Sequence, residues 1–505
     1  MRIVVHLDRA RLFCWQLSSI QALHDGGHTA VVQFRDTSEP LPTSLTAILD
    51  FDAARIRSGP DRFSVRLVPQ DFAKFAGPST GQIDLEIDLS TVSAPAVTSQ
   101  RTLRPLYDGS PKDTALFHAL LDGRAPELAI TDSAGGVWPI GLPALETPSR
   151  LAPSLDHTQS RLVEGLTLIV ARIASSERPP AAAVAAPVTS KARTVLGSAS
   201  KFTSQRAVSK FARIRDRLTG DAPKWHVAWR KIVEGALPQP GILKIGGFQI
   251  LPDDGNRFYA DPFAFEHEGS THVFVEEFPA QTNKGIISHF TISEHGAASL
   301  PIPVLDVPHH LSYPQVFTLG KEIWMLPEAA GGGGLDLYRA EGFPYRWVKQ
   351  ARIVDQPLHD ATLFSHAGQF WIAASTTAYQ SSSWDALSLF YSDTLTGPWR
   401  PHARNPVLVD ARSARPAGPF WHDGETLMRA AQDCSKNYGG QITLKRITGL
   451  DPHHFDEVTI GAISISPKSG ILGPHTISRA GGYELIDLYA RPSFLRAGSR
   501  RSIAL

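Results

Sequence analysis

Across the second half of the chain, apolar runs of six to eight residues alternate with turn residues, and one pattern keeps introducing them. Tyr259-Ala260-Asp261-Pro262-Phe263 leads through His267-Glu268-Gly269 into the apolar run Thr271 to Phe278. Ser312-Tyr313-Pro314 leads through Gly320 to Ile323-Trp324-Met325-Leu326, and His359-Asp360-Ala361 leads through Gly368 to Phe370-Trp371-Ile372. Ala417-Gly418-Pro419 leads through Gly424 to Leu427-Met428, and Gly473-Pro474-His475 through Gly482 to Leu485-Ile486. The anchors stand at positions 261, 313, 360, 418 and 475, in steps of 52, 47, 58 and 57. Further apolar strands fall between them, at Ile287 to Ile292, Leu335 to Arg339, Leu387 to Tyr391 and Gln441 to Ile447. A unit of about 40–50 residues with four strands, repeated several times, is the signature of a β-propeller. Five anchors predict five blades. A strand from Trp225 to Ile232 or from Ile242 to Ile250 would complete the last blade and close the ring, leaving no unpaired edge.

The first part reads differently. Residues 2–7 form an apolar strand, and Leu12 to His24 carries Phe13, Leu17, Ile20 and Leu23 at helical spacing before Asp25-Gly26-Gly27 stops it. Thr29 to Phe34, Asp84 to Leu89 and Glu127 to Thr131 read as strands, Thr114 to Leu121 as a short helix. Strands alternating with helices predict an α/β domain over about 1–135. Residues 136–223 form a helical and basic connector. Within it, His157 to Ile173 is a helix with Leu162, Leu166 and Ile169 on one face, and Arg178-Pro179-Pro180 opens an Ala/Pro/Val linker. Residues 191–219 then set Val208, Phe211, Ile214 and Leu218 at helical spacing among Lys191, Arg193, Lys201, Arg206, Lys210, Arg213, Arg215 and Arg217. Such a helix can lie on anionic lipid as a peripheral contact; the alternative is packing its narrow apolar face onto a neighbouring domain. Residues 224–505 are the propeller. The expected fold class is an α/β N-terminal domain plus an all-β five-bladed β-propeller.

Composition narrows the partners. A net charge of +1 gives no electrostatic reason to expect nucleic acid. Cys14 and Cys434 form neither a metal spacing nor a disulfide framework, and no stretch approaches a signal peptide or membrane span, so a cytoplasmic location is the default expectation. No Gly-rich turn follows the first strand, Gly331 to Gly334 lacks the Lys-Ser/Thr of a phosphate cradle, and the cofactor remains unknown.

In a propeller the starts of the innermost strands share one surface, so the anchors bring Asp261, Tyr313, Asp360, the Arg415–Gly418 turn and His475 to one place. Glu276, Glu277, Glu328 and Asp433 stand at or just past inner-strand ends. Carboxylates with aromatic neighbours around a channel suit a sugar, and hydrolysis needs two carboxyls of different pKa. Each residue also has a structural use: Asp261 and Asp360 as turn caps, Tyr313 as packing, Arg415, Arg429 and Asp433 as an ion-pair network, His475 as a satisfied core histidine rather than a metal ligand.

The repeated Asp-Pro-x-x-Phe units and Tyr391-Ser392-Asp393-Thr394-Leu395-Thr396-Gly397-Pro398-Trp399 resemble the five-bladed propeller of glycoside hydrolase family 43. A nearer resemblance is to the propeller region of plant glucosamine inositolphosphorylceramide transferases and to bacterial proteins joining that propeller to a formyltransferase-like domain. Ala260-Asp261-Pro262-Phe263, Leu311-Ser312-Tyr313-Pro314, Pro327-Glu328, Arg429-Ala430-Ala431-Gln432-Asp433, Tyr438-Gly439 and His475-Thr476 carry it, over about 224–490. The resemblance implies a general base at Asp261 and an orienting, pKa-tuning role at Asp360. The family's acid, a Glu in a Glu-Gly-Pro setting, is replaced here by Ala417-Gly418-Pro419, leaving Glu328 or Asp433 as substitutes. Tyr313, Arg415, Arg429, Gln432, Asp433, Tyr438 and His475 would contact the substrate. Residues 1–135 faintly resemble the formyltransferase N-terminal domain, but the Asn of that signature cannot occur, since the first asparagine is Asn256. The expectation is a carbohydrate-active protein of glycan or glycolipid assembly with a carbohydrate or nucleotide-sugar ligand; the alternative is a non-enzymatic glycan- or protein-binding platform.

Overall fold

The computed structural model describes residues 1–36, 40–55, 62–78, 81–90, 101–133, 135–179, 195–219, 221–466 and 469–491. The chain divides into two compact units, Met1–Ala212 with Thr377–Ser382, and Arg213–Thr376 with Ser383–Leu505.

In the first unit, β1 (Arg2–Asp8), α1 (Cys14–Asp25), β2 (Thr29–Arg35), α2 (Thr43–Ala53) and β3 (Leu85–Asp88) are followed by β4 (Thr102–Tyr107), α3 (Asp113–Leu121), β5 (Leu128–Asp132), β6 (Val137–Gly141) and α4 (Leu151–Ala174). The sheet order is β2-β1-β3-β4-β5-β6; the first four strands run parallel and the last two antiparallel. β1 is buried on both faces, which is why it reads as a continuous apolar run. The helix α4 starts six residues before the position its apolar spacing marks. Its first N–H groups at Leu151 and Ala152 are capped by Asp52 Oδ2 on α2, at 2.6 and 3.4 Å, so no neighbouring residue in sequence signals the start. The basic segment is helical as α5 (Val195–Thr219), with Phe211, Ile214 and Leu218 exposed. Lys191 and Arg193 lie outside the described residues.

The second unit is a five-bladed β-propeller. Three blades are simple four-stranded or near-four-stranded meanders, spanning Arg257–Leu305, Ser312–Val354 and His359–Val409. The fourth blade, from Trp421 to Ile465, gains Gly241–Leu243 in parallel register against its outer strand. In the fifth, Ile477–Ala480 and Tyr483–Ala490 are completed by Lys224–Lys231, which pairs antiparallel along all eight residues of Tyr483–Ala490. Gln249–Ile250 lies outside that strand. Of the two candidate closing strands, the one at Trp225 to Ile232 completes the last blade; Ile242 to Ile250 is not a single strand, because a helical turn at Ile245–Gly247 divides it and sends its ends to the fourth and fifth blades. Apolar faces share buried clusters from blade to blade: Phe274 and Met325 belong to one that joins the first and second, and Leu326, Leu363 and Ile372 to one that joins the second and third. The residues at the inner edge are thereby fixed from both sides.

Candidate functional site at the channel

Three blades open with the same distortion. The pairing of the first strand with the second slips between Ala260 and Phe263, between Ser312 and Gln315, and between His359 and Thr362. At each slip one non-glycine residue takes a left-handed backbone: Asp261 (φ 49°), Tyr313 (φ 48°) and Asp360 (φ 50°). The fourth blade places Gly418 (φ 128°) at this position. A bulge of this kind re-aims a side chain, and a left-handed non-glycine residue costs about 1–3 kcal/mol, so its recurrence marks a constrained site.

The strained backbones are held by side chains from around the channel. Asp487 Oδ2 accepts the Asp261 N–H (3.1 Å), Asp261 Oδ2 that of Tyr313 (3.2 Å), and Glu328 Oε2 that of Asp360 (2.8 Å). The Tyr313 hydroxyl accepts the Gly418 N–H (2.5 Å) and shares a hydrogen bond with Thr362 Oγ1 (3.0 Å). Asp360 is gripped by the Arg415 fork (Nε to Oδ2 2.6 Å, Nη2 to Oδ1 3.1 Å) and by Gln432 Nε2 (2.6 Å). Thr476 Oγ1 donates to Asp261 Oδ1 (2.8 Å), and His475 lies between Asp487 and Asp261, its Nε2 3.5 Å from Asp261 Oδ1. Asp261, His475 and Asp487 each present one ligand atom within 4.8 Å of the others, a set that could hold a metal ion. Asp487, however, already accepts N–H groups from Asp261, His475 and Thr476.

Of the residues singled out from sequence, Asp261, Tyr313, Glu328, Asp360, Arg415, Gln432, Tyr438 and His475 converge here. Arg429 and Asp433 do not. Arg429 forks onto Glu457 (2.7 Å for both contacts) and donates to Ser413 O, while Asp433 accepts from Ser435 and Gln441. Both are structural fixtures of the fourth blade.

A half-buried aromatic group adjoins the cluster. The Trp225 ring stacks on His475 at 3.8 Å, Tyr438 stands edge-on to both, and Trp384 lies 5.2 Å from Tyr438. The Arg415 guanidinium sits 5.0 Å above the Tyr438 ring. Aromatic faces beside buried carboxylates are the surfaces that bind the apolar and hydroxyl faces of a sugar.

One further carboxyl belongs to the site. Across the first two strands of each blade, Ala260 pairs with Glu276, Ser312 with Glu328 and His359 with Ser375. Glu276 and Glu328 are therefore equivalent, each fifteen residues beyond its anchor. Their environments are opposite. Glu276 is buried, and His310 Nε2 is near it at 3.4 Å; His310 Nδ1 accepts the Gly285 N–H, which puts the ring proton on Nε2. Burial, with the charges of Asp261, Glu328 and Asp360 adding, pushes Glu276 well above the usual carboxylate range. Burial also works to raise Glu328, but His359, Arg415 and a side-chain hydrogen bond with Asp360 outweigh it and hold that carboxyl far down. Glu328 is thus an ionised group and unsuited to donate a proton. Burial pushes Asp360 up to about 7 against the opposing Arg415 charge, and pushes Asp261 up as well.

The depressed Glu328 group contributes stability that is present above its ordinary value of 4.5 and is lost as the pH falls below it. Glu328→Gln should therefore destabilise the propeller by about 1–3 kcal/mol at pH 7, since it weakens the cap on the strained Asp360 backbone and the contacts to His359 and Arg415. Urea unfolding at pH 7, 5 and 3.5 should show the gap to wild type narrowing toward acid. A gap that stays constant or widens would contradict the assignment.

Part of the chain is similar to known proteins. Residues 252–471 match the family model described as glucosamine inositolphosphorylceramide transferase 1, N-terminal. The Arabidopsis thaliana protein of that name is 36% identical over 210 residues, 41% of this chain and 27% of its own length. That of Oryza sativa subsp. japonica is 32% identical over 261 residues, 51% of this chain and 34% of its own length. The chain thus matches about a third or less of each curated relative. Solved structures aligned to it include Zg3597, a family 117 glycoside hydrolase from Zobellia galactanivorans (TM-score 0.34, 10% identity, 54% of this chain and 92% of that one). Another is the catalytic domain of the Coprinopsis cinerea GH62 α-L-arabinofuranosidase (TM-score 0.35, 12% identity, 54% and 98%). Of the segments that carry the resemblance, those from Ala260-Asp261-Pro262-Phe263 to Tyr438-Gly439 fall inside the matched region, and His475-Thr476 lies beyond it.

Proposed function

We propose that the propeller handles carbohydrate in glycan or glycolipid assembly, with the sugar seated over the channel mouth against Trp225, Trp384 and Tyr438. The observation that carries this is the pair of buried, blade-equivalent glutamates whose environments drive their pKa values apart, in a cluster whose His475 and Arg415 are flanked by half-buried aromatic rings. Two carboxyls so separated are the requirement for proton donation and charge stabilisation at a glycosidic bond. In this reading Glu276 is the proton donor that takes the place of the acid absent at Ala417. Glu328 and Asp360 remain as the charged and orienting groups, and Asp261 contributes a carboxylate beside His475. The name of the matched relatives supports a sugar as ligand, and a nucleotide sugar is the donor form the proposal includes.

A second reading, binding without turnover, is favoured by the fourth blade itself: Ala417 is fully buried, and the Gly418 N–H is satisfied by Tyr313. Both readings require a sugar at the aromatic face. Titrating the protein with amino sugars, neutral oligosaccharides and nucleotide sugars should change its tryptophan fluorescence, because Trp225 and Trp384 adjoin the site. Tyr438→Ala should weaken the effective ligand about tenfold. Equal affinity in the variant would remove the sugar from this face.

A further inference from the structure

The last turns of the basic helix α5 (Val195–Thr219) have two unlike sides. On one side Asp216 is buried and paired with Arg491 (Nη2 to Oδ2 2.7 Å), whose Nη1 also donates to Asp221 O (3.0 Å). Across the helix from Asp216, Phe211, Ile214 and Leu218 follow one another at i, i+3 and i+7, a stripe about 10 Å long. They are 72%, 45% and 83% exposed, and Leu218 is the most exposed large apolar residue among the described ones. The buried side fixes the helix, and the apolar stripe is left facing outward.

Cations frame the stripe. Lys210, Arg213 and Arg217 occupy the helix positions along one edge, and Arg215, itself exposed, stands on the other and pairs with Asp216 at 2.9 Å. Earlier in α5 the cations are committed elsewhere, Arg206 to Asp52 (2.6 Å) and Lys201 to Asp122 (3.2 Å). The Arg491 contact brings in a second basic stretch, since residues 492–505 continue from it and carry Arg496, Arg500 and Arg501 with no acidic residue. Over 207–221 and 491–505 together, eight arginines and lysines stand against Asp216 and Asp221 alone.

A standard protein interface takes about 20–30 residues a side, and this stripe offers three, edged by like charges that repel a second copy of the same helix. An anionic bilayer surface suits both features. Apolar side chains enter the boundary between headgroups and acyl chains, and each cation near the leaflet strengthens binding about fivefold. We infer that this end of α5, with the basic stretch that continues from Arg491, docks the protein on a membrane surface containing anionic lipid. No helix among the described residues is long and apolar enough to cross a membrane, and the contact inferred is with the surface alone. It does not depend on the sugar site at the propeller channel.

The test is flotation of the full chain with phosphatidylcholine vesicles, with and without phosphatidylglycerol, at low and high ionic strength. Wild type should bind the anionic vesicles about tenfold or more tightly than the neutral ones, and lose most of that preference at high salt. Phe211→Ser/Leu218→Ser should weaken anionic binding about tenfold at an unchanged melting temperature, because both side chains are exposed. Lys210→Gln/Arg213→Gln/Arg217→Gln, which leaves the stripe in place, should weaken it about tenfold or more. If one of these variants melts lower than wild type, the other decides. No flotation with anionic vesicles, equal flotation with neutral ones, or a folded serine variant that floats like wild type would overturn the inference. So would a wild-type dimer that the serine variant abolishes without any vesicle binding, because the stripe would then belong to a second copy of the chain.

Discussion

Replacing Asp360 with alanine should lower the unfolding free energy of the propeller by about 3–5 kcal/mol, the largest effect expected of any single change at the channel. Asp360 receives three hydrogen bonds, two from the Arg415 fork and one from Gln432, and almost none of this is open to water. Without it the buried Arg415 charge keeps Glu328, at 3.9 Å, as its carboxylate, along with the Ser383 hydroxyl at 3.0 Å and the Tyr438 ring. Burial pushes Asp360 up to about 7 even beside that guanidinium, so forming the charged pair is itself expensive, and the pair serves to fix the geometry more than to add stability. Asp360→Asn keeps the shape and the acceptor oxygen, and should cost about 1–3 kcal/mol. Urea unfolding followed by tryptophan fluorescence reports this unit well, since eight of the ten tryptophans lie between residues 225 and 421. An alanine variant within 1 kcal/mol of wild type would mean that Arg415 finds another partner, and the site geometry as described would be wrong.

The second large effect is on rate. Glu276→Gln should slow any glycosidic bond cleaved or formed at the channel by about 10²–10⁴-fold at neutral pH, the usual contribution of a positioned proton donor. Its fold should survive, because the carboxyl faces His310 Nε2 at 3.4 Å and an amide fills the same space. The pH profile separates a proton donor from a merely structural glutamate. Wild-type rate should fall as the pH rises through the elevated Glu276 pKa, and the glutamine variant should lack that limb. A variant with the wild-type rate and the same alkaline limb would assign the proton to another group.

Much of this architecture is legible in the residues. The five anchors locate the blades, and the αL bulges fall at three of them: Asp261 and Asp360 are residues that tolerate that backbone, whereas Tyr313 is a bulky exception whose N–H is held by Asp261 Oδ2. The equivalence of Glu276 with Glu328 is also present, as a constant offset of fifteen residues from Asp261 and Tyr313, but it carries no meaning until strand pairing shows both facing the channel. Arg429 and Asp433 belong to the segment Arg429-Ala430-Ala431-Gln432-Asp433 that carries the family resemblance, yet of the three polar residues only Gln432 reaches the site. On the strand Thr426–Asp433, neighbouring residues face opposite ways and positions three apart do as well, so neither can share the Gln432 face. In the α/β unit, β4 and β6 escape the pattern because each carries a proline and is short, and α4 takes its cap from Asp52, about a hundred residues earlier in the chain. Partners distant in sequence supply what local spacing lacks.

The most direct test of the account is to incubate the wild-type protein and Asp261→Asn with a panel of glycans and nucleotide sugars, following product and retained ligand by mass spectrometry. Wild type should turn over or retain a sugar and Asp261→Asn should lose it, because that carboxylate joins Tyr313, Thr476 and His475 at the channel. Turnover would favour the enzymatic reading, and retention without product the binding one. No sugar held or converted by wild type, or the same sugar handled equally by Asp261→Asn, would contradict a carbohydrate site at the propeller channel.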